Sequence, residues 1–357
     1  MIRQPLLLPY AFMEKTIRKR RGLGRSTIFD VAQVARTSAI SVSRYFNSPE
    51  LVSTETRERI RAAIAQTGYI RNQAAGGLAS TQGRIVSAIV PSVSNSIFAE
   101  TIQGLANTLA THDYQLLLAT HNYSLENEEK IVKAMIGWSP RALVLTGVTH
   151  SPATEILLAG LTMPVIETWD LQDGRPYTQV GFSHIDAGAQ MTTHLLSKGY
   201  RKIVFVDSSN TDDFRAMQRA EGYRMAMEAA GARATIVRPR DVEPLEAGRQ
   251  ILLEQLQKRI RPDALFFCND NMAAGAIYEA ARARICIPEQ CAIAGFGDFA
   301  FAAQLMPSLT TIRVPRYEIG RRAADNILQQ LGEIAPFVNS APLIDRLEFQ
   351  IVSRDSA

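Results

Sequence analysis

The chain has only three cysteines among its 357 residues, Cys268, Cys286 and Cys291. Their spacing matches no pattern of metal ligands, and each lies in an apolar or helical stretch. Neither a disulfide framework nor a zinc site is therefore expected. The sequence predicts reduced, buried thiols in a cytosolic protein.

Histidine is also rare, and the five histidines are not spaced to ligate a metal from one helix face. No GxSxG, P-loop or GxGxxG fingerprint opens a helix, and the segment GFGD, which follows a strand, lacks the third glycine. His184, Asp186 and His194 fit an ordinary connection between a strand and a helix. We therefore expect no enzymatic activity, no metal and no cofactor.

Long apolar runs are missing as well. No segment has the unbroken apolar length of a membrane span. The N-terminal LLLPYAF is short, contains a proline and precedes the basic residues, whereas a secretion signal has its charges first. These absences predict a cytoplasmic protein without a membrane partner. With 46% hydrophobic residues and no low-complexity tract, the chain is expected to fold into more than one domain.

Positive charge is concentrated at one end of the chain. Residues 1–80 contain 13 Lys and Arg against 5 Asp and Glu, whereas the remaining 277 residues contain 26 against 30. A basic segment joined to a mildly acidic body points to a polyanionic partner, and nucleic acid is the first candidate. Residues 1–25, with the run RKRRGLGR, are expected to be a flexible arm that either contacts DNA or remains a solvated tail.

Helix signals come densely from residue 27 onward. Thr27 is an N-cap residue, and the acid three positions later completes a capping pair for a short helix. The segment RTS makes a turn, Ser38 caps a second helix over Ala39 to Phe46, and Ser53 caps a third that ends at Gly68. This arrangement predicts a helix-turn-helix, whose second helix lies in the major groove of DNA.

The segment from Thr27 to Ser80 resembles the head of the lactose-repressor (LacI/GalR) family. The matching pieces are DVA, SxxSVSRxxN, VSxxTRxxIxxAxxxxGY and NxxAxxLA. By this resemblance Ala39, Ile40 and Arg44 read bases, and residues 72–82 form a hinge that inserts Leu78 into the minor groove. The remaining DNA-binding residues that it implies are Thr27, Ser38, Ser41, Ser43, Asn47, Thr56, Tyr69, Asn72 and Ala75.

Physical chemistry limits what the second helix can read. Arg44 can form two hydrogen bonds with guanine, although an exposed arginine often contacts only phosphates. Ala39 and Ile40 cannot hydrogen-bond to bases, but they can pack on a thymine methyl or simply fill space. Arg36 stands where the turn favours glycine, at a cost of about 1 kcal/mol if it is left-handed. We expect the head to read few hydrogen bonds and much of the DNA shape.

Beyond Gly83, short apolar runs alternate with amphipathic segments, which predicts parallel sheets covered by helices on both faces. The predicted helices span Phe98–Ala110, Glu126–Trp138, Asp186–Lys198, Arg219–Ala230, Glu246–Lys258 and Met272–Arg284. Roughly ten strand–helix units are too many for one ordinary sheet, so two lobes are expected. The predicted fold class is a small all-α helix-turn-helix head (residues 26–71) and an α/β, two-lobed sensor similar to periplasmic binding proteins (residues 83–357).

Ligands of such sheets bind beyond the carboxyl ends of the strands, where polar residues of both lobes are expected to converge on a cleft. The family resemblance continues through PSVSNSIFAETIQGL, VGFSHIDAG, GYRKIVFV, CNDNMAAGA, AIAGFGDF and PSLTTIRVP. It implies that Arg219 and Asn269 contact a small effector. The complete set of expected effector-binding residues is Ser92, Asn95, Phe98, His121, Thr146, Glu167, Trp169, Arg219, Asn269, Phe296 and Asp298.

Two departures from the family pattern bear on the ligand. Gly297 stands where many members have an acid that binds sugar hydroxyls, and Trp169 replaces another ligand-contacting acid. Fewer acids near Arg219 weaken the repulsion of an anionic ligand. The segments NSIFAE, VIETWD and AIAGFGDF are similar to the gluconate-utilisation repressor branch. We therefore predict a sugar acid such as gluconate or a keto-gluconate, with its carboxylate on Arg219; the alternative is that Arg219 forms a structural salt bridge.

The resemblance as a whole implies a homodimeric repressor that binds double-stranded operator DNA and is controlled allosterically by this effector. The competing interpretation is a solute-binding protein for sugar transport. It would explain the two-lobed body but leaves the basic three-helix head without a role.

Overall fold

The computed structural model describes residues 26–69, 83–94, 97–334 and 342–357. The chain divides into two compact units between Thr81 and Gln82. The predicted arm (1–25), the hinge residues Asn72, Ala75 and Leu78, and Asn95 lie outside the described residues, as does the side chain of Asn47.

The first unit contains the three predicted helices. They are α1 (Ile28–Val34), α2 (Ala39–Asn47) and α3 (Thr54–Thr67), with a short 3-10 helix at Pro49–Leu51. The expected caps are confirmed: Thr27 and Asp30 form a capping box, and the hydroxyls of Ser38 and Ser53 accept hydrogen bonds from amides in the first turns of α2 and α3. Each cap satisfies an amide that the helix leaves unpaired, so the helix boundaries follow from local sequence.

Both left-handed positions of this unit agree with the sequence. Gly68 ends α3 at φ 61°, where a residue without a Cβ is favoured. Arg36 has φ 50° in the turn between α1 and α2, so the condition under which this arginine is expected to be costly is met. The turn thus contains a conformation that costs a non-glycine residue about 1 kcal/mol or more.

A small apolar core joins the three helices. Its buried members come from every helix and from the turn between them: Val31, Ala32, Ala35, Val42, Val52, Ile60 and Ala63. Ile28, Ala39, Phe46 and Tyr69 pack against this core from its edge. Between residues 26 and 69 no charged side chain is buried.

The second unit begins with a lobe built on a six-stranded parallel sheet. Its first elements are β1 (Ile85–Val90), α4 (Ala99–Ala110), β2 (Gln115–Thr120), α5 (Leu125–Ile136), β3 (Ala142–Thr146), α6 (Pro152–Ala159), β4 (Val165–Trp169) and β5 (Thr178–Gly181). The strand order is β11-β5-β4-β3-β1-β2, where β11 is the late strand Ile344–Arg346. The chain therefore returns to this lobe after building the other.

The second lobe has a four-stranded parallel sheet in the order β7-β6-β8-β9. Its elements are α7 (His184–Ser197), β6 (Ile203–Val206), α8 (Phe214–Ala229), β7 (Thr235–Val237), α9 (Pro244–Leu256), β8 (Ala264–Phe267), α10 (Asp270–Ala283) and β9 (Ala292–Ala294). An antiparallel pair, β10 (Thr311–Arg313) and β12 (Gln350–Val352), lies beside β9. Helix α11 (Arg316–Gln330) packs back on α4 of the first lobe. The two-lobed α/β architecture is as predicted.

Helices α7 and α8 cross at very short distance, which fixes the position of α8. A Cβ on Gly188 would overlap the backbone of Arg219, and a Cβ on Gly222 would overlap the backbone of Ile185. Only glycine permits this approach. The rotation of α8 about its axis, and with it the direction of its inward side chains, is therefore set by the packing against α7.

Two details differ from the sequence-based expectations. The helix predicted at Arg219–Ala230 begins at Phe214, because the side chain of Asp213 accepts a hydrogen bond from the Ala216 amide and caps it. Cys268 and Cys291 are buried as expected, but Cys286 is exposed, since it follows the end of α10 at the surface. Within the described ranges no helix is long and apolar enough to cross a membrane, and no group of acidic, histidine or cysteine side chains is placed to hold a metal.

Candidate DNA interface and effector pocket

The N-terminal half of α2 presents the side chains that were expected to face DNA. Ile40 is 65% exposed, and Arg44, one turn later on the same face, is also exposed. The Ser38 hydroxyl lies 2.9 Å from that of Ser41 at the exposed start of the helix. This face combines an apolar side chain, one guanidinium and small hydroxyls, which is a combination suited to methyl, guanine and phosphate contacts.

Other expected DNA-binding residues also hold the head together. Ala39 is half-buried against the core, and the ring of Tyr69 lies 6.2 Å from that of Phe46. Thr27 bonds to Asp30 in the α1 cap, and the Thr56 hydroxyl lies 2.9 Å from that of Ser53 in the α3 cap. Ser43 is half-buried in the middle of α2. Phe29, which sequence reasoning did not single out, is an aromatic ring 71% exposed at the start of α1.

A pocket in the second unit brings together five of the expected effector-binding residues. They come from α4's N-terminal side, the end of β4, α8 and the ends of β8 and β9: Phe98, Trp169, Arg219, Asn269 and Phe296. The pocket has an empty volume of about 480 Å³, part of which is open to solvent. Residues from both lobes therefore line one pocket.

Arg219 is the most deeply placed charge of this pocket, with 4% of its surface exposed. Its guanidinium lies 4.0 Å from the centre of the Phe296 ring and donates to the Cys268 carbonyl at 3.1 Å. Burial lowers the pKa of Arg219, and the charge of Asp213 opposes that shift. None of the described carboxylates is within ion-pair distance of Arg219, so the alternative of a structural salt bridge receives no support from these contacts.

His184 holds Arg219 in place. One ring nitrogen, Nε2, lies 3.0 Å from the Trp169 carbonyl oxygen, and the other, Nδ1, lies 2.9 Å from the Arg219 guanidinium. Because a carbonyl can only accept, Nε2 carries the proton and Nδ1 accepts from Arg219. Burial, together with the positive charges of Arg219 and Arg215, lowers the pKa of His184 well below its ordinary value. His184 is therefore a neutral positioning residue, not the ordinary connecting residue that the sequence indicated.

Arg215 is a second buried arginine in the same pocket, and sequence reasoning missed it. It lies one helical turn before Arg219 on α8 and is 8% exposed. Its guanidinium faces the rings of Phe98 at 5.5 Å and Tyr123 at 6.0 Å and donates weakly to the Thr146 carbonyl at 3.4 Å. Here too no described carboxylate forms an ion pair. The four-residue spacing from Arg219 was the available signal, since such residues share a helix face.

A second pocket adjoins the first and contains two more expected residues, His121 and Thr146. The two pockets share Tyr123 and Arg215 in their walls. The second pocket has an empty volume of about 320 Å³. Seven of the ten described residues that were expected at the effector site therefore lie in two neighbouring pockets.

Three expected effector-binding residues are placed elsewhere. Glu167 is fully buried and bonded to Arg175, which reaches it from a loop eight residues later. Asp298 accepts from Arg313 at 2.6 Å and from Arg354 at 2.7 Å. Ser92 accepts from the Ser94 amide and does not line either pocket. The expectation for these three is corrected: intramolecular partners occupy the two acids, and the serine caps a loop.

Comparison with known proteins agrees with both parts of the chain. Residues 27–72 match the model of the bacterial regulatory proteins of the lacI family, and residues 192–356 match that of a periplasmic binding protein-like domain. The HTH-type transcriptional regulator GntR of Pseudomonas aeruginosa is 33% identical over 88% of this chain and 92% of its own. The chain belongs to the LacI family. The resemblance predicted from the sequence is confirmed.

Further relatives of this LacI-family protein are also transcriptional regulators. The HTH-type transcriptional regulator IdnR of Escherichia coli is 33% identical over 86% of this chain and 92% of its own. The crystal structure of a LacI-family protein from Silicibacter pomeroyi superposes with a TM-score of 0.86 at 32% identity, covering 93% of this chain and 99% of that one. These named relatives are transcriptional regulators and not enzymes, so the interpretation of the chain as a regulator without enzymatic activity is supported.

Proposed function

We propose that this regulator is a cytoplasmic repressor that binds operator DNA as a homodimer and that a small sugar acid, such as gluconate or a keto-gluconate, controls its affinity for DNA. The observation that carries the choice of ligand is the pair of buried arginines, Arg215 and Arg219, which lack carboxylate partners among the described residues. A sugar acid supplies the missing carboxylate.

Charge balance is the physical reason for an anionic ligand. Burying a guanidinium is costly unless an opposite charge compensates it. The first pocket contains two arginines, one carboxylate (Asp213) and a neutral histidine, so its wall is net positive. One carboxylate placed between the two guanidiniums would restore neutrality and accept charge-assisted hydrogen bonds.

The remaining polar groups of the pocket favour a hydroxyl-bearing ligand. Asn269 and Asn271 offer amides, and Tyr123 offers a phenol, which burial keeps protonated by raising its pKa. Phe98 and Phe296 provide apolar surface for carbon–hydrogen faces of a sugar chain. The resemblance to the gluconate-utilisation branch favours the same class of ligand.

On the DNA side, we propose that Ile40 and Arg44 reach base edges while Ser38 and Ser41 contact phosphates. Thr27, Ser43, Asn47, Thr56 and Tyr69 in the head, and Asn72, Ala75 and Leu78 beyond it, remain predicted contacts. Two heads of a dimer would read two half-sites about one helical turn apart or a multiple of it. A solute-binding protein for transport is disfavoured, since this chain matches transcriptional regulators over most of their length.

The test measures DNA binding with and without the proposed ligand. Gel-shift titrations should show tighter binding to DNA from the region upstream of the protein's own gene than to a scrambled duplex, with a change of affinity on adding gluconate or a keto-gluconate. Arg219→Ala should keep the DNA affinity and lose the response to the acid. Arg224→Ala is the matched control, because Arg224 lies on the same helix but pairs with Glu221 and Glu228 at the surface.

Two results would contradict the proposal. Equal affinity for the two duplexes would refute sequence-specific DNA binding. An unchanged response of Arg219→Ala to sugar acids would refute the role of Arg219 in binding them. A melting curve of the variant, compared with that of Arg224→Ala, distinguishes loss of ligand binding from loss of fold.

A further inference from the structure

The second pocket differs from the first in the charges of its wall. Three carboxylates, Glu128, Asp170 and Asp212, line it, and Arg215 at the junction is its only arginine among the described residues. A ligand carboxylate would be repelled at this end. Hydroxyl groups, in contrast, can donate hydrogen bonds to such acids.

His121 is a buried residue of this pocket whose ring nitrogens lack a hydrogen bond among the described residues. It is 5% exposed, and neither ring nitrogen forms a hydrogen bond of acceptable geometry with the described residues. The closest acid is Glu128, whose Oε2 lies 4.0 Å from Nε2. Buried polar groups are normally hydrogen-bonded, and leaving one unpaired is costly. An unpaired imidazole at a pocket wall therefore indicates a group that arrives with a ligand.

The neighbouring acids are held in place but retain capacity to accept. Glu128 is fixed by the Nδ1 of His150 at 2.7 Å. Asp170 accepts from the Gln218 side chain at 3.1 Å and from the Leu171 amide at 3.0 Å. Each carboxylate oxygen can accept more than one hydrogen bond, so these fixed acceptors remain available to ligand hydroxyls.

We propose that the second pocket is a subsite for the hydroxyl-bearing tail of the effector and that His121 forms a hydrogen bond with a tail hydroxyl. The carboxylate then lies at Arg215 and Arg219 in the first pocket, and the chain passes Tyr123 and Arg215, which the two pockets share. The subsite gives the protein selectivity for longer sugar acids over short ones. This inference rests on the proposed function.

The test compares two acids of different chain length. Calorimetric titration of the full chain should show tighter binding of gluconate, a six-carbon acid, than of erythronate, a four-carbon acid. His121→Ala should weaken gluconate binding about tenfold, the typical effect of one lost hydrogen bond in a buried site. Erythronate, which is too short to fill the second pocket, should bind to wild type and variant alike.

Two further variants keep the test decisive. His121→Asn preserves hydrogen-bonding capacity and should retain more of the preference for gluconate than His121→Ala. His112→Ala is the control for a histidine of the same lobe outside both pockets; it should change neither affinity. Melting curves for all variants exclude an effect of folding.

The outcomes separate the two proposals. If both acids bind and His121→Ala weakens neither, or weakens both equally, the subsite is refuted while the anionic effector stands. If neither acid binds to the wild-type protein, the proposed effector class is refuted, and the tail subsite is refuted with it.

Discussion

The head and the sensor treat charge in opposite ways. In the described head, residues 26–69, every charged side chain is at least partly exposed, and the core is made of aliphatic and aromatic groups. The sensor buries charged side chains from both lobes: Glu128, His150, Glu167, Asp170, Asp207, Arg215, Arg219, Asp270 and Arg316. The head thus keeps its charges exposed, where a polyanion can contact them, whereas four of the buried charges of the sensor, Glu128, Asp170, Arg215 and Arg219, line its two pockets.

The positive charge of residues 1–80 is unevenly distributed within that segment. Between residues 26 and 69 there are five arginines and four acids, so the three-helix part of the head is nearly neutral. Most of the positive charge of residues 1–80 lies in residues 1–25, in runs such as RKRR. The non-specific attraction to DNA is therefore expected to depend more on this arm than on the three helices.

Removing a buried charge from the sensor should have the largest effect on stability. His150 lies between two buried acids, 2.7 Å from Glu128 and 3.4 Å from Glu167. His150→Gln removes the positive charge that compensates Glu128 and Glu167 and should lower the free energy of unfolding by about 3–5 kcal/mol. Urea unfolding of the variant and of His112→Gln, a histidine at the surface of the same lobe, would measure this difference.

The effect of His150→Gln should depend on pH. Burial lowers the pKa of His150, but the hydrogen bond to Glu128 and the negative charges of Glu128 and Glu167 outweigh it and raise the pKa to about 9. Because the folded value lies above the ordinary value, the stabilisation is complete below about pH 6.5 and is lost as the pH rises through about 9. The gap between wild type and variant should shrink over that range. A constant gap would show that His150 stabilises by packing, and the contrast with the head would weaken.

A substitution of Arg215 tests whether the buried charges of the sensor bind a ligand. Arg215→Gln removes one of two guanidiniums and should weaken gluconate binding roughly 10- to 100-fold, as expected for a charge-assisted hydrogen bond. DNA affinity without ligand should not change. Arg224→Gln, on the surface of the same helix, is the matched control for calorimetry. Equal affinities of the two variants would mean that Arg219 binds the anion alone.

The helices of the head could be predicted from the sequence more completely than the pockets of the sensor. The head depends on caps and on helical periodicity, which act over three or four residues, so its helices and caps could be predicted. The pocket depends on which intramolecular partner reaches each charge. Arg175 occupies Glu167, and Arg313 and Arg354 occupy Asp298, which no local pattern indicates. The role of His184 was missed for a related reason, because it becomes visible only when β4, α7 and α8 are packed together. Arg215 could have been found from its four-residue spacing from Arg219 on one helix face.

The smallest predicted effect concerns Arg36, where conformation and charge act in opposite directions. Its φ of 50° favours glycine, so Arg36→Gly should stabilise the head by up to about 1 kcal/mol, reduced by the greater freedom of glycine in the unfolded chain. The same change removes an exposed positive charge and should lower the slope of DNA affinity against salt by up to about 0.9, if Arg36 contacts a phosphate.

Arg36→Ala separates the two effects, because alanine removes the charge without relieving the left-handed backbone. The melting temperature of the head should rise for Arg36→Gly and not for Arg36→Ala, while the salt dependence of DNA affinity should fall equally in both variants. Equal melting of the two variants would show that the turn stores no strain, and the head would then owe its stability to apolar packing and caps alone.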